Sequence, residues 1–244
     1  METSFEIGTF IKTVSPHIVE LLGTTPLDFG VIDAEHAPFD RQSIDLLLLA
    51  GKAAQLPLYV RIPDRQPATI LSVLDLGAAG IVVPHVNDAE QARQIVSRAK
   101  YLGGERGFSS SPRAAGYGTD SYANAQARGD QTRIICQIES VAGLQNCQAI
   151  AETPGVDALF IGRADLALSL GESNSRHPKV LDATDRIIAA TLAAGKQAAM
   201  FVGNLAERDE FHAKGVTWFV FGSDQSFLRQ GAQQACANRS EVSA

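Results

Sequence analysis

The amino-acid sequence predicts a (β/α)8 barrel, and three observations carry this prediction. Eight short apolar runs alternate with eight longer helical patterns along the chain. The length of 244 residues matches the usual size of this fold, roughly 250 residues. Several of the runs are apolar throughout, as expected for strands covered on both faces. A doubly wound sheet is the competing α/β fold, but no G-x-G-x-x-G follows the first strand to favour it.

Each strand is predicted from a run rich in β-branched or aromatic residues. The run Ile134-Ile135-Cys136-Gln137-Ile138 is a clear example, because it is long and almost wholly apolar. The predicted strands are 5–11, 28–34, 57–62, 80–84, 132–139, 157–162, 197–202 and 217–222.

The predicted helices lie between these strands. Several begin at residues that favour a helix start, such as Asp40, Pro67 and Asp88. The predicted helices are 15–23, 40–53, 67–77, 88–99, 141–151, 179–194, 206–214 and 224–236. Together, strands and helices predict a single barrel domain over residues 1–244.

The Gly- and Ser-rich segment 102–121 interrupts the alternation. A stretch of this length without regular structure is typically functional or disordered. It carries Arg106 and Arg113, which could meet an anion or an acidic neighbour. The alternative is a mobile lid or a packing loop.

Composition excludes several classes of protein. The net charge of −6, from 21 basic and 27 acidic residues, argues against a nucleic-acid partner and an anionic membrane surface. Three widely spaced cysteines predict neither a disulfide framework nor a zinc site. Residues 1–6 lack a signal-peptide pattern, and no apolar run reaches the ~18 residues of a membrane span. We therefore expect a cytoplasmic protein that binds a small molecule.

Polar residues gather where the predicted strands end. Active sites of this fold lie at the carboxyl ends of the strands, and the strand beginnings here are much less polar. This asymmetry favours an enzyme over a scaffold. The strand ends carry Asp33-Ala34-Glu35-His36, Arg61, His85, Gln137 and Glu139, Gly162-Arg163-Ala164-Asp165, Gly203-Asn204 and Gly222-Ser223-Asp224.

Glu139 and Asp165 come from adjacent strands and can converge at the barrel mouth. Two carboxylates whose remaining coordination positions are filled by water and substrate suit a hard cation such as Mg²⁺ or Mn²⁺. The alternative is that each carboxylate caps the following helix.

Three further residues at the mouth have chemical potential. His36 can act as a general base, although a hydrogen-bonded loop histidine is the more common situation. Arg61 can stabilise an enolate or carboxylate oxygen, and an ion pair with Asp33 or Glu35 is compatible with that role. Strand alternation places Gln137 on the same face as Glu139.

An ordered set of short motifs covers almost the whole chain. The motifs are Asp33-Ala34-Glu35-His36-Ala37-Pro38, Val60-Arg61, Leu74-Asp75-Leu76-Gly77, Val83-Pro84, Arg106-Gly107, Gln137-Ile138-Glu139, Phe160-Ile161-Gly162, Ala164-Asp165-Leu166 and Gly222-Ser223-Asp224. This set resembles the HpcH/HpaI family of class II, metal-dependent pyruvate aldolases. That family includes 4-hydroxy-2-oxoheptanedioate aldolase and 2-keto-3-deoxy sugar acid aldolases.

The resemblance implies a reaction and a set of roles. The reaction is reversible aldol cleavage of 4-hydroxy-2-oxo acids, which gives pyruvate, or a close 2-oxo acid such as hydroxypyruvate, and an aldehyde. Glu139 and Asp165 would bind a divalent ion (Mg²⁺, Mn²⁺ or Co²⁺), which chelates pyruvate. His36 would remove a proton from C3, while the ion and Arg61 hold the enolate charge. Gln137 and the backbone around Gly162 and Ala164 would position the pyruvate carboxylate.

The family pairs its catalytic histidine with an aspartate that corresponds to Asp75. Here Asp75 lies near the end of the third helix, about 12 Å along it from Pro67, on the way back to the barrel base. We therefore expect Asp75 to serve the site of a neighbouring subunit. The hexameric assembly typical of the family, with sites near subunit interfaces, is compatible with this expectation.

Two positions depart from the family pattern. Arg163 stands where a proline is common, and it either favours an acidic aldehyde or points outward into an interface. Phe201 stands where smaller aliphatic residues are usual, and it would restrict the size of the aldehyde. Both differences concern the aldehyde and leave the pyruvate half unchanged.

Three alternatives remain at the sequence level. A Schiff-base aldolase would need a lysine inside the barrel, and Lys12 is the obvious candidate. A citrate-lyase-type or malyl-CoA-type lyase would need a surface for coenzyme A, for which the chain is short. A barrel that binds a 2-oxo acid without catalysis is the third, and the presence of His36, Arg61, Glu139 and Asp165 argues against it.

Overall fold

The computed structural model describes residues 4–237 and forms a closed barrel of eight parallel strands in the order β1 to β8. All eight predicted strands are confirmed, each to within one residue at either end. Residues 1–3, part of the segment without a signal-peptide pattern, lie outside the described residues. The strands are Glu6–Ile11 (β1), Phe29–Asp33 (β2), Leu58–Arg61 (β3), Gly80–Val83 (β4), Arg133–Ile138 (β5), Ala158–Ile161 (β6), Gln197–Val202 (β7) and Val216–Ser223 (β8).

The eight predicted helices are also present, and two more appear. Helix α5 follows Ser121, whose hydroxyl accepts a hydrogen bond from the backbone N–H of Asn124, and α7 follows β6 directly. The helices are Pro16–Gly23 (α1), Arg41–Ala53 (α2), Pro67–Asp75 (α3), Ala89–Ala99 (α4), Tyr122–Asp130 (α5), Val141–Ala151 (α6), Arg163–Ser169 (α7), Pro178–Ala193 (α8), Leu205–His212 (α9) and Asp224–Ala235 (α10). No helix within residues 4–237 is long and apolar enough to cross a bilayer.

Segment 102–121 packs against the helices around it. It contains a short 3-10 turn, Arg113–Gly118. Arg113 donates to the backbone oxygen of Leu76 at 2.6 Å and lies 2.7 Å from the Asp45 carboxylate. Arg106 pairs with Asp75. The expectations of acidic neighbours and of a packing loop are therefore confirmed.

Large side chains fill the barrel interior. Phe29 and Trp218 stack with ring centroids 4.0 Å apart, and Tyr59 meets Trp218 edge-on at 5.3 Å. The alternate residues of the strands, such as Ile11 and Ile32, face the surrounding helices and form the larger core. A packed interior leaves no pore, so a ligand of the barrel binds at one of its ends.

Candidate active site

Asp33 and Arg61 form the centre of the site at the ends of β2 and β3. The two residues are register partners in the parallel sheet. Arg61 donates from Nε to Asp33 Oδ1 at 2.9 Å, and its Nη2 lies 2.8 Å from the same oxygen. Burial disfavours ionisation of Asp33, but Arg61 and Lys12 outweigh it, so the pKa of Asp33 lies below its usual value. The ion pair expected of Arg61 is therefore present.

Glu35 and His36 follow on the same loop. The backbone N–H of His36 donates to Asp33 Oδ1 at 3.3 Å, which ties the loop to the buried carboxylate. The His36 ring is 54% exposed, with Nε2 3.6 Å from Glu35 Oε2. Glu35 also lies 3.3 Å from Arg61 Nε. His36 is thus oriented by its neighbours and open to a substrate.

Glu139 lies at the end of β5 and is almost fully buried. Its Oε1 accepts the backbone N–H of His85 at 2.7 Å, and His85 Nδ1 is 2.9 Å away. The side-chain amide of Gln137 donates to Glu139 Oε2, so the two residues share a face as predicted. Gln137 Oε1 is buried and has no hydrogen-bond partner among residues 4–237. An acceptor oxygen is therefore left available beside the carboxylate.

Gly162 brings the start of α7 against Glu139. Its N–H donates to the backbone oxygen of Ile138 at 3.0 Å. A Cβ at this position would lie 2.8 Å from Glu139 Cβ and 2.9 Å from Oε2, so only glycine permits this approach. Ala164 and Asp165 follow in the exposed first turn of α7.

Neither carboxylate caps a helix, so the capping alternative is wrong. Ser140 caps α6, and the residue before α7 is Gly162, which has no side chain. No group of three or more His, Cys, Asp or Glu side chains is arranged to hold a metal within residues 4–237. The predicted ligands Glu139 and Asp165, together with the unpartnered oxygen of Gln137, would supply only oxygen donors. An all-oxygen set of this kind fits a hard divalent cation whose other ligands are water and substrate.

Phe201, which the resemblance assigns to the aldehyde side, lies at the end of β7. Its ring is 40% exposed and stacks on Phe10 with centroids 6.1 Å apart. Phe10 in turn lies under the Arg61 guanidinium at 4.5 Å. An aromatic wall therefore extends from the Asp33–Arg61 pair to the open rim.

Arg163 is not a free cation at the mouth. Its Nη2 lies 2.7 Å from Glu207 Oε1 and donates to the backbone oxygen of Phe201 at 3.3 Å. The guanidinium also packs over the Phe211 ring at 4.7 Å. Its charge is thus paired within the contact between α7 and α9.

Asp75 lies at the C-terminal end of α3, towards the base of the barrel and away from the mouth that carries His36. It accepts a hydrogen bond from Arg106 Nη2 at 2.9 Å. The structure does not bring Asp75 to His36 of the same chain, as the length of α3 predicted.

Glu35, His85 and Lys12 are site residues that sequence reasoning did not select for these roles. His85 Nε2 lies 3.3 Å from Glu35 Oε1, so His85 links Glu35 to Glu139. Burial raises the pKa of Glu35 above its usual value, although Arg61 and the two histidines oppose the shift. The available signal was weak, because each residue is a single polar position at a strand end. His85 also has a left-handed backbone, with φ of 56°.

Sequence and structure comparisons agree on one family. The sequence model described as HpcH/HpaI aldolase/citrate lyase matches residues 6–230. The 5-keto-4-deoxy-D-glucarate aldolase of Klebsiella pneumoniae is 36% identical over 231 residues, which cover 94% of this chain and 90% of that protein. The hydroxypyruvate/pyruvate aldolase of Paraburkholderia phytofirmans is 36% identical over 244 residues, which cover 96% of this chain and 93% of that protein.

A solved structure shows the same architecture. An HpcH/HpaI aldolase/citrate lyase family protein from Burkholderia cenocepacia superposes with a TM-score of 0.92 at 32% identity. The match covers 99% of this chain and 95% of that one.

Proposed function

Because the chain belongs to the HpcH/HpaI aldolase/citrate lyase family and is a carbon–carbon lyase, we propose that it is a class II aldolase. It cleaves 4-hydroxy-2-oxo acids reversibly to an aldehyde and pyruvate, or a close 2-oxo acid such as hydroxypyruvate. One observation carries the proposal: a single barrel mouth holds an accessible His36, a cation at Arg61 and the buried carboxylate of Glu139.

Glu139 and Asp165 are the proposed ligands of a divalent ion, Mg²⁺, Mn²⁺ or Co²⁺. When bound, the ion supplies Lewis-acid polarisation of the 2-oxo group and charge stabilisation. Gln137 holds Glu139 Oε2 and offers its own free oxygen nearby. The backbone around Gly162 and Ala164 completes the pocket for the pyruvate carboxylate.

His36 is the proposed base for the C3 proton of pyruvate. Its ring is open to solvent, and its loop is anchored by Asp33, so it can face a substrate without rearrangement. Arg61 is held in place by Asp33 and stabilises the negative charge that develops as the proton leaves. In the cleavage direction the same groups act in reverse.

Lys12 is less suited to a Schiff-base mechanism. Its Nζ lies 2.9 Å from Asp33 Oδ2, in an ion pair that requires the ammonium form. An ammonium has no lone pair with which to attack a carbonyl. This contact supports the metal-dependent class over the lysine-dependent one.

Asp75 is proposed to assist His36 of a neighbouring subunit in a cytoplasmic homohexamer built from single-domain chains. An Asp75→Ala chain and a His36→Ala chain, each inactive alone, should regain about a quarter of the active sites when subunits exchange. This fraction follows because an intact site then needs one chain of each kind. No recovery after verified subunit exchange would contradict the proposal.

A cleavage screen tests the proposed function. Members of the 4-hydroxy-2-oxo acid class are offered one by one, and pyruvate release is coupled to lactate dehydrogenase. Cleavage should stop with EDTA and return with Mg²⁺, Mn²⁺ or Co²⁺. Cleavage that continues in EDTA, together with borohydride inactivation in the presence of pyruvate, would contradict the metal-dependent mechanism.

A further inference from the structure

Lys12 is fixed at the rim of the mouth by contacts to its backbone and side chain. It directly follows β1, and the backbone N–H groups of Lys12 and Thr13 donate to the two carboxylate oxygens of Asp224, at 3.0 and 2.9 Å. Asp224 is buried at the start of α10. The Lys12 ammonium lies 2.9 Å from Asp33, which is fully buried. The lysine is therefore pre-organised, so binding a ligand costs it little conformational entropy.

Lys12 is also a more accessible cation than Arg61 on this side of the mouth. The Arg61 side chain is 8% exposed and already bonded to Asp33, whereas the Lys12 side chain is 28% exposed. An ammonium has three N–H donors, and the contact with Asp33 occupies one of them. Donors of Lys12 thus remain for an anion that arrives from solvent.

An aromatic surface lies beside this ammonium. Lys12 Nζ is 5.8 Å from the centre of the Phe10 ring, and the Phe201 ring stacks on Phe10 with centroids 6.1 Å apart. The apolar rings suit a short carbon chain, and the ammonium suits a carboxylate at its end. Arg163, the cation that the sequence suggested for an acidic aldehyde, is already paired with Glu207.

We propose that Lys12 binds the distal carboxylate of the aldehyde, and so makes the enzyme selective for acidic aldehydes and the aldols derived from them. The proposal rests on the proposed aldolase function and specifies its substrate class. Lys12 is a specificity-determining residue here, and the proposed role concerns the aldehyde half of the reaction.

The test compares two acceptors of equal chain length, 4-oxobutanoate and its methyl ester, in metal-dependent condensation with pyruvate. For the unaltered enzyme, kcat/KM for 4-oxobutanoate should exceed that for the ester. In Lys12→Met the ratio of the two values should fall about 10- to 100-fold, mainly through KM for the acid, because a charge-assisted hydrogen bond is lost. Lys12→Arg should keep most of the preference.

Lys52→Met is the matched control, because Lys52 is an exposed lysine in the last turn of α2. Its ratio should equal that of the unaltered enzyme. An unchanged ratio in Lys12→Met would overturn the proposal, and so would an equal loss in Lys12→Met and a well-folded Lys12→Arg. If Lys12→Met does not fold, the ratio of the two kcat/KM values in Lys12→Arg is used instead. A retained preference for the acid then supports the proposal, and a lost preference contradicts it.

Deuterium exchange at C3 of pyruvate separates this proposal from the aldolase function. If the unaltered enzyme exchanges the C3 protons and Lys12→Met keeps the acceptor ratio, the role of Lys12 alone is wrong. If the unaltered enzyme shows no exchange with any divalent ion, the proposed function fails instead.

Discussion

Two buried arginines at opposite ends of the barrel have different surroundings. Arg61 at the mouth packs on Phe10 at 4.5 Å and contacts the carboxylates of Asp33 and Glu35. Arg106 at the base packs on Tyr101 at 4.4 Å and contacts Asp75 through Nη2. Its Nε and Nη1 are buried and lack hydrogen-bond partners within the described part of the chain. Within residues 4–237, no donor of Arg61 is buried without a partner, whereas two donors of Arg106 are. Arg163, beside the mouth, resembles Arg106 in this respect, because its Nε and Nη1 are also buried and unpaired.

The unpaired donors of Arg106 would be satisfied by an external partner at the base. A buried donor without an acceptor costs about 1–3 kcal/mol, so two of them at Arg106 favour any neighbour that supplies acceptors. A second subunit packed on this face would do so. The proposed assistance in trans requires that this face, which carries Asp75, also meets the mouth of another chain.

The largest expected effect is at the metal ligands of the mouth. Glu139→Gln or Asp165→Asn should lower cleavage by about 10³-fold or more, because an amide is a poor replacement for a carboxylate ligand. Isothermal titration with Mn²⁺ should show weaker binding in parallel. Asp185→Asn is the control, since Asp185 pairs with Lys214 on the surface. Full activity in Glu139→Gln would refute the ligand assignment.

Removal of the proposed base should have the next largest effect. His36→Ala should lower kcat by about 10²- to 10⁴-fold, the usual contribution of general acid–base catalysis. Mn²⁺ affinity should be unchanged, because His36 is not a proposed ligand. A His36→Ala enzyme with near-normal kcat would show that another group removes the proton.

A stability comparison tests the contrast between the two arginines directly. Arg61→Met should lower the free energy of unfolding by about 3–5 kcal/mol, because it takes the guanidinium away from two carboxylates and leaves Lys12 as the cation beside the buried Asp33. Arg106→Met should cost less, about 1–3 kcal/mol, since it removes one ion pair and two unsatisfied donors together. Urea unfolding of both variants measures the difference. An equal or larger loss for Arg106→Met would contradict the contrast.

The smallest expected effect is a change in acid stability. The pKa of Asp33 is lowered in the folded state, so its contribution is present above the unfolded value, near 3.8, and is lost as the pH falls through the folded value. As the pH falls below about 4, the free energy of unfolding should therefore decrease less in Asp33→Asn than in the unaltered protein. The two decreases should differ by on the order of 1 kcal/mol. Urea unfolding at pH 3 to 6 provides the measurement. If the free energy of unfolding has the same pH dependence in both proteins, Asp33 is not the cause of the loss of stability in acid.

Sequence patterns were sufficient for the strands but not for every helix. Strands such as β5 are apolar runs between polar ends, which makes their limits visible. Helix α5 is largely polar and α7 has 7 residues, so neither shows a periodic apolar face. Because α7 was not predicted, its contact with α9 and the pairing of Arg163 with Glu207 could not be foreseen.

The site could also be predicted only in part, because some of its contacts follow from local sequence rules and others do not. Glu139 and Gln137 share a face by strand alternation, a local rule that sequence reveals. The contacts of Lys12 and His85 depend on neighbouring loops, since Lys12 reaches Asp33 across the β1–β2 pair and His85 reaches Glu139 across the β4–β5 pair. Such contacts depend on how neighbouring strands align in the folded barrel. A single polar residue in the sequence does not reveal that alignment.

Deuterium exchange at C3 of pyruvate, followed by proton NMR in deuterium oxide, tests the central claim most directly. The claim is that this mouth forms the enolate of a 2-oxo acid with a divalent ion and His36. It predicts exchange with Mg²⁺, Mn²⁺ or Co²⁺, no exchange with EDTA, and a large loss of exchange in His36→Ala. Exchange that persists in EDTA, with pyruvate trapped on the protein by borohydride, would contradict it.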